Sequence, residues 1–195
     1  MNMKSPATGF LVVLKTPECR GERGSRLNPQ YSGVNRVPLY PPPNAEEASA
    51  LDEYVFGDIK SNETNLIPYF GTALTLLKKL SSSPRAFEVI YCGTGPEDPI
   101  LDELAVEKVV ALGYDVAGVT GDGWSIVGDF ASGEWAVAFA NRLNSYGLFR
   151  DRADAQAYLK GYEDHNEPDS DIPFDVVYVA RMIADRDAAP VSITP

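Results

Sequence analysis

The chain has 195 residues, with 17 Lys/Arg against 28 Asp/Glu and a net charge of −11 at pH 7. That length suits a single domain, residues 1–195, that buries roughly 70% of its unfolded surface. One histidine and two cysteines exclude a histidine-pair metal site and a disulfide framework, and no apolar run approaches the ~20 residues of a membrane span.

Thr8 to Lys15 (TGFLVVLK) reads as a strand, apolar and β-branched at its centre. The short apolar run is followed at once by a charge and a proline, with no small-residue cleavage site, so no signal peptide is expected. From about residue 16 to 44 the periodicity stops, and glycine, proline and arginine dominate. Residues 1–43 hold six basic against two acidic residues, a net of +4; the remainder holds 11 against 26, a net of −15. A body that acidic repels nucleic acid and anionic membrane and favours a basic protein partner through long-range steering.

Asn44, with Glu47 three residues on, is a capping box for a helix to about Val55. A second helix is expected from near Thr64 to Leu80. Pro68 would lie in its first turn, Tyr69, Phe70, Ala73, Leu76, Leu77 and Leu80 on its core face, and Lys78 and Lys79 in its last turn. Ala86 to Cys92 (AFEVIYC) reads as a second strand. Gly93-Thr94-Gly95-Pro96 follows, and a helix is expected from Glu97 to about Leu112, stopped by Gly113. A phosphate cradle in that turn is rejected. Glu97 and Asp98 would repel the phosphate, and Pro96 and Pro99 lack donor N–H groups.

Tyr114–Val119 and Trp124–Phe130 read as a hairpin around the Asp122-Gly123 turn. Ser132 then caps a helix whose stripe is Trp135, Phe139, Leu143 and Tyr146, ended by Gly147 in a left-handed cap. Asp151 caps the last helix, with Asp154 in the capping-box position and Ala155, Tyr158, Leu159 and Tyr162 facing inward. Glu163 to Asp171 is the densest acidic segment. It lacks the alternating oxygen ligands and central glycine of a calcium loop. Pro173–Ile183 (PFDVVYVARMI) is the last strand, and the tail 184–195 is expected to fray.

The fold expected is α/β or α+β: a central mixed sheet of about five strands flanked by helices, with at least one antiparallel hairpin. There is no G-x-S-x-G elbow, no Walker loop and no C-x-x-C, so no cofactor is indicated. Cys92 ends a strand and His165 is the lone histidine, but nothing marks a third group to orient a Cys–His nucleophile.

Leu112-Gly113-Tyr114-Asp115-Val116-Ala117, then Leu143-Asn144 with Tyr146-Gly147-Leu148-Phe149, an alanine-rich helix and a closing Val176-Val177-Tyr178-Val179-Ala180-Arg181 strand, form one pattern. It resembles the immunity proteins encoded beside secreted bacterial polymorphic toxins, including those delivered by type VI or contact-dependent systems in interbacterial competition. The resemblance implies an acidic, cytoplasmic, non-enzymatic antitoxin that covers the active site of a cognate toxin, and it carries over no residue-level motif. From the residues themselves, the expected contact surface is the hairpin around Asp122, Trp124 and Asp129 together with Glu163, Asp164, Glu167, Asp169 and Asp171, since tryptophan beside charge suits an interface. Two other readings stay open: a small carboxylate- or metal-dependent enzyme, and a phage or accessory regulator that binds a host protein.

Overall fold

Antiparallel pairing accounts for every neighbour relation in the sheet. The computed structural model describes residues 8–14, 66–82, 86–102, 104, 106–118, 126–127, 134–165 and 174–184. Strands β1 (Gly9–Leu14), β2 (Phe87–Gly93), β3 (Val106–Gly118) and β4 (Phe174–Ala184) form one sheet in the order β1-β2-β4-β3. With helices α1 (Phe70–Lys79), α2 (Pro99–Asp102), α3 (Glu134–Val137) and α4 (Arg152–His165), the class is α+β. The described residues hold four strands rather than about five, and no parallel pair. None of the described helices is long and apolar enough to cross a membrane.

β1 and β2 form where the apolar, β-branched runs predict. The helix expected from Thr64 starts instead at Phe70. Ile67 exchanges two backbone hydrogen bonds with Phe10, each 2.8 Å, and so closes the outer edge of β1 in an extended conformation. A residue that precedes proline is biased towards that conformation, and Pro68 follows it. Tyr69, assigned to the core face, is 62% exposed, while Phe70, Ala73, Leu76 and Leu80 are buried.

The largest departure is residues 97–112. Only Pro99–Asp102 is helical, and β3 begins at Val106. Apolar residues on several faces describe a buried strand as well as a buried helix. Val106, Val109 and Val110 are β-branched, and β4 supplies a partner from Val106↔Ala184 through to Gly118↔Phe174. Gly113 is therefore no helix cap. It has φ +142° beside a register shift between Ala111 and Gly113, and an added Cβ would lie 2.6 Å from the Phe149 carbonyl oxygen. Tyr114 to Gly118 is the continuation of the same strand. Of the expected return strand, Ile126 and Val127 are described. Both are buried, and the Ile126 N–H donates to the Val116 carbonyl at 2.9 Å.

The helix expected after Ser132 is also broken. α3 is one turn, a 3-10 turn follows at Ala140–Arg142, and Leu143 is extended. Asn144 explains the break. Its Oδ1 accepts the N–H groups of Tyr146 (2.8 Å) and Leu148 (3.2 Å), and its amide donates to the Leu112 carbonyl (2.6 Å). The side chain so takes the place of helical hydrogen bonding. Gly147, at φ +73°, adopts the left-handed conformation expected of it. α4 matches its expected inward face, with Ala155 and Tyr158 buried and Leu159 and Tyr162 half-buried. Asp154 pairs with Arg142 at 2.7 Å.

The two long helices among the described residues, α1 and α4, pack on one face of the sheet. On that face an aromatic row crosses all four strands: Phe10, Tyr91, Tyr178 and Tyr114, with Phe70 of α1 at one end and centroid spacings of 5.2–6.3 Å. Such pairs stabilise beyond their area burial. α1 covers β1 and β2. α4 covers the end of the β3–β4 ribbon that extends past β2, where Val116, Val176, Phe149, Ile126, Ala155 and Tyr158 are buried together. The helix expected at 44–55, the loop 16–44, the Asp122-Gly123 turn, most of the acidic segment and the tail past Ala184 lie outside the described residues.

Candidate functional site

Of the residues expected at a partner surface, Glu163 and Asp164 are described. Asp122, Trp124, Asp129, Glu167, Asp169 and Asp171 lie outside the described residues. Glu163 and Asp164 are exposed in the last turn of α4, the negative end of the helix dipole. Carboxylates there oppose the dipole, at a cost of about 0.3–1 kcal/mol each. Helix stability does not explain their position.

The turn that carries them is held by an aromatic clamp. Trp135 stacks on His165, with centroids 5.3 Å apart and planes at 17°, and packs against Tyr158 at 5.2 Å. Gly161 leaves room for the indole, since a Cβ there would lie 2.9 Å from Trp135 Cε3. The His165 ring sits with Nδ1 2.7 Å from the Gly161 carbonyl oxygen. Donation to that oxygen fixes the ring. The sequence places Trp135 on a buried stripe but carries no sign of its stack on the lone histidine, because the two residues are brought together only by helix packing.

The sheet face opposite α1 and α4 holds buried charges. Strand alternation puts Glu88, Ile90 and Cys92 of β2 on this face, with Val179 and Arg181 of β4 and Asp115 of β3. Glu88 and Asp115 are buried. Arg181 Nε lies 2.7 Å from Glu88 Oε2. Among the described residues, neither Glu88 oxygen nor Arg181 Nε has a well-directed hydrogen bond, so the contact is held by charge and proximity. The guanidinium also lies 5.7 Å from the Tyr146 ring centroid. Burial acts to lower the Arg181 pKa, but Glu88 and, to a lesser degree, Tyr146 together outweigh it, and the net shift is upward. A single opposite charge inside each of two apolar strands, AFEVIYC and VVYVARMI, was the available signal for this pair.

Cys92 is buried on the same face, and burial, with a lesser contribution from the Asp115 charge, pushes its thiol pKa up. The thiol stays protonated, and His165 is exposed on a helix that packs on the other face. The two residues form no nucleophile and base pair.

The Gly93–Pro96 turn is shaped by Asp98. Its Oδ1 accepts the Ile100 N–H (3.1 Å), and its Oδ2 accepts the hydroxyls of Tyr91 (2.6 Å) and Thr94 (3.1 Å). Burial alone would raise this carboxyl. The bonds from Tyr91, Ile100 and Thr94 outweigh it and hold the pKa below the usual value. The same carboxylate, after burial itself, pushes the Tyr91 hydroxyl up. Gly93 is required here because a Cβ would collide with the Tyr91 hydroxyl. The acidic start of α2 is thus a cap and not a ligand site. Among the described residues, no three His, Cys, Asp or Glu side chains are grouped to hold a metal ion. Comparison of the chain with protein-family models, with curated proteins and with solved structures finds no match in any of the three.

Proposed function

We propose that this chain is an immunity-type antitoxin that binds a cognate secreted bacterial toxin and covers its active site. The observation that carries the proposal is the distribution of charge. The chain is −11 overall, with −15 past residue 43. Two of its carboxylates stand exposed where they oppose the dipole of α4. A toxin that acts on nucleic acid or nucleotides has a basic cleft. Clustered Asp and Glu can stand in there for phosphates, and the net field speeds encounter at low salt.

The aromatic clamp under Glu163 and Asp164 supports the same reading. It orders the turn before a partner arrives, which reduces the ordering cost of association. The test is co-expression with the product of the adjacent gene. Rescue from toxicity, co-purification and an association rate that falls steeply with salt are expected. A chain that neither rescues nor co-purifies refutes the proposal.

A further inference from the structure

We infer that the outer edge of β3 over Lys108–Ala111 is a docking edge that takes one extended strand from an oppositely charged protein partner. β3 ends the sheet. Past Leu112 its outer side is occupied by the chain itself. Tyr114 exchanges two 2.9 Å bonds with Phe149, the Val116 carbonyl accepts from Ile126, and the Leu112 carbonyl accepts from Asn144. At the other end of the sheet, Ile67 closes β1 at Phe10.

Lys108–Ala111 differs. Lys108 pairs with Ile183 and Val110 with Arg181, and residues of β4 alternate in the neighbour they address. The alternation that turns Tyr114 outward to Phe149 therefore turns the N–H and C=O of Val109 away from β4. Among the described residues, no hydrogen bond from outside the sheet reaches Val109. Lys108 and Ala111 are exposed, and Val109 and Val110 are half-buried. This is an accessible stretch of sheet edge with apolar flanks, lying between two register shifts.

Edges of this kind accept an added strand through backbone bonds, with alternate side chains setting specificity. A second copy of the chain is the wrong occupant. Each copy carries −11, and a lysine with a bulge on either side is a device against pairing of like edges. A partner strand with an apolar residue opposite Val109, a hydroxyl or acid facing Lys108 and basic flanks meets both the local and the overall charge. The inference rests on the reading that the chain acts by binding a cationic protein, and it is tested apart from that reading.

The probe is a nine-residue peptide with an alternating valine–threonine centre between paired arginines. It is titrated at low salt into the full chain, with amide shifts and hydrogen exchange followed. A twin peptide, N-methylated on its outward-bonding residues, is the control. Binding should shift amides around Lys108–Ala111 and raise protection of the Val109 N–H at least about tenfold. Val109→Pro removes the outward donor at an edge position, spares the β3–β4 bonds and should weaken binding about tenfold. The methylated twin, which leaves the chain unaltered, should not bind. No binding, equal binding of the twin, shifts centred elsewhere, or dimerisation of the chain through this edge would each overturn the inference. Failure to bind the toxin, with peptide binding intact, would instead overturn the antitoxin proposal.

Discussion

Removal of one charge from the Glu88–Arg181 pair tests how the sheet is held on the face opposite α1 and α4. The Glu88 side chain is 7% exposed and the Arg181 side chain 21%, with 2.7 Å between the charged atoms. At an effective dielectric near 20, unit charges at about 4 Å attract by about 4 kcal/mol, and somewhat more at closer range. Against that stand several kcal/mol of desolvation for each ion. Buried pairs recover this through further hydrogen bonds, and among the described residues both Glu88 oxygens and Arg181 Nε lack well-directed ones. The pair is near balance, so the two kinds of substitution should differ sharply. Arg181→Met leaves a buried carboxylate without its cation and should cost about 3–5 kcal/mol of unfolding free energy. The double variant Glu88→Leu/Arg181→Met should return to within about 1 kcal/mol of the parent or exceed it. Urea unfolding, followed by tryptophan fluorescence and circular dichroism at low and high salt, measures both. A single substitution that costs under about 1 kcal/mol would refute the reasoning, as would a double variant as unstable as the sum of the two singles.

Gly113→Ala should destabilise by about 1–3 kcal/mol, because it combines φ +142° with a Cβ 2.6 Å from the Phe149 carbonyl oxygen. Thermal melts give the shift, and an unchanged melting temperature would count against the close approach. Asp98→Ala should cost about 1–2 kcal/mol near neutrality, since one side chain caps α2 and bonds Tyr91 and Thr94. The Asp98 pKa is lowered in the fold. Its contribution is therefore present above the unfolded value near 4 and is lost as pH falls through the folded value. Stability measured against pH should show a shallower acid limb in the variant than in the parent. Glu163→Lys/Asp164→Lys should stabilise α4 by about 0.3–1 kcal/mol per site. The same double variant should slow low-salt association with the cognate toxin several-fold. Stopped-flow rates that do not change would remove this turn from the contact surface.

Legibility of the fold followed the reach of the interactions involved. The apolar runs of β1, β2 and β4 and the stripes of α1 and α4 are local periodicities, and they stand close to where the pattern puts them. The same holds for Gly147, whose left-handed conformation a turn requires whatever surrounds it. The site was less legible. Glu163 and Asp164 could be named from composition, but the Trp135–His165 clamp beneath them joins residues thirty positions apart, and no spacing rule connects them.

The sequence by itself determined a mixed class of helices on a sheet, the acidic character and the positions of β1, β2, β4, α1 and α4, since those depend on side chains within a few residues of one another. Only the tertiary structure decided that residues 106–112 form a strand, because a run apolar on several faces suits either conformation until β4 offers its backbone. The same long-range register set Glu88 beside Arg181 and turned Val109 outward. Each of these is a contact between distant segments, where pairing energy overrides local preference.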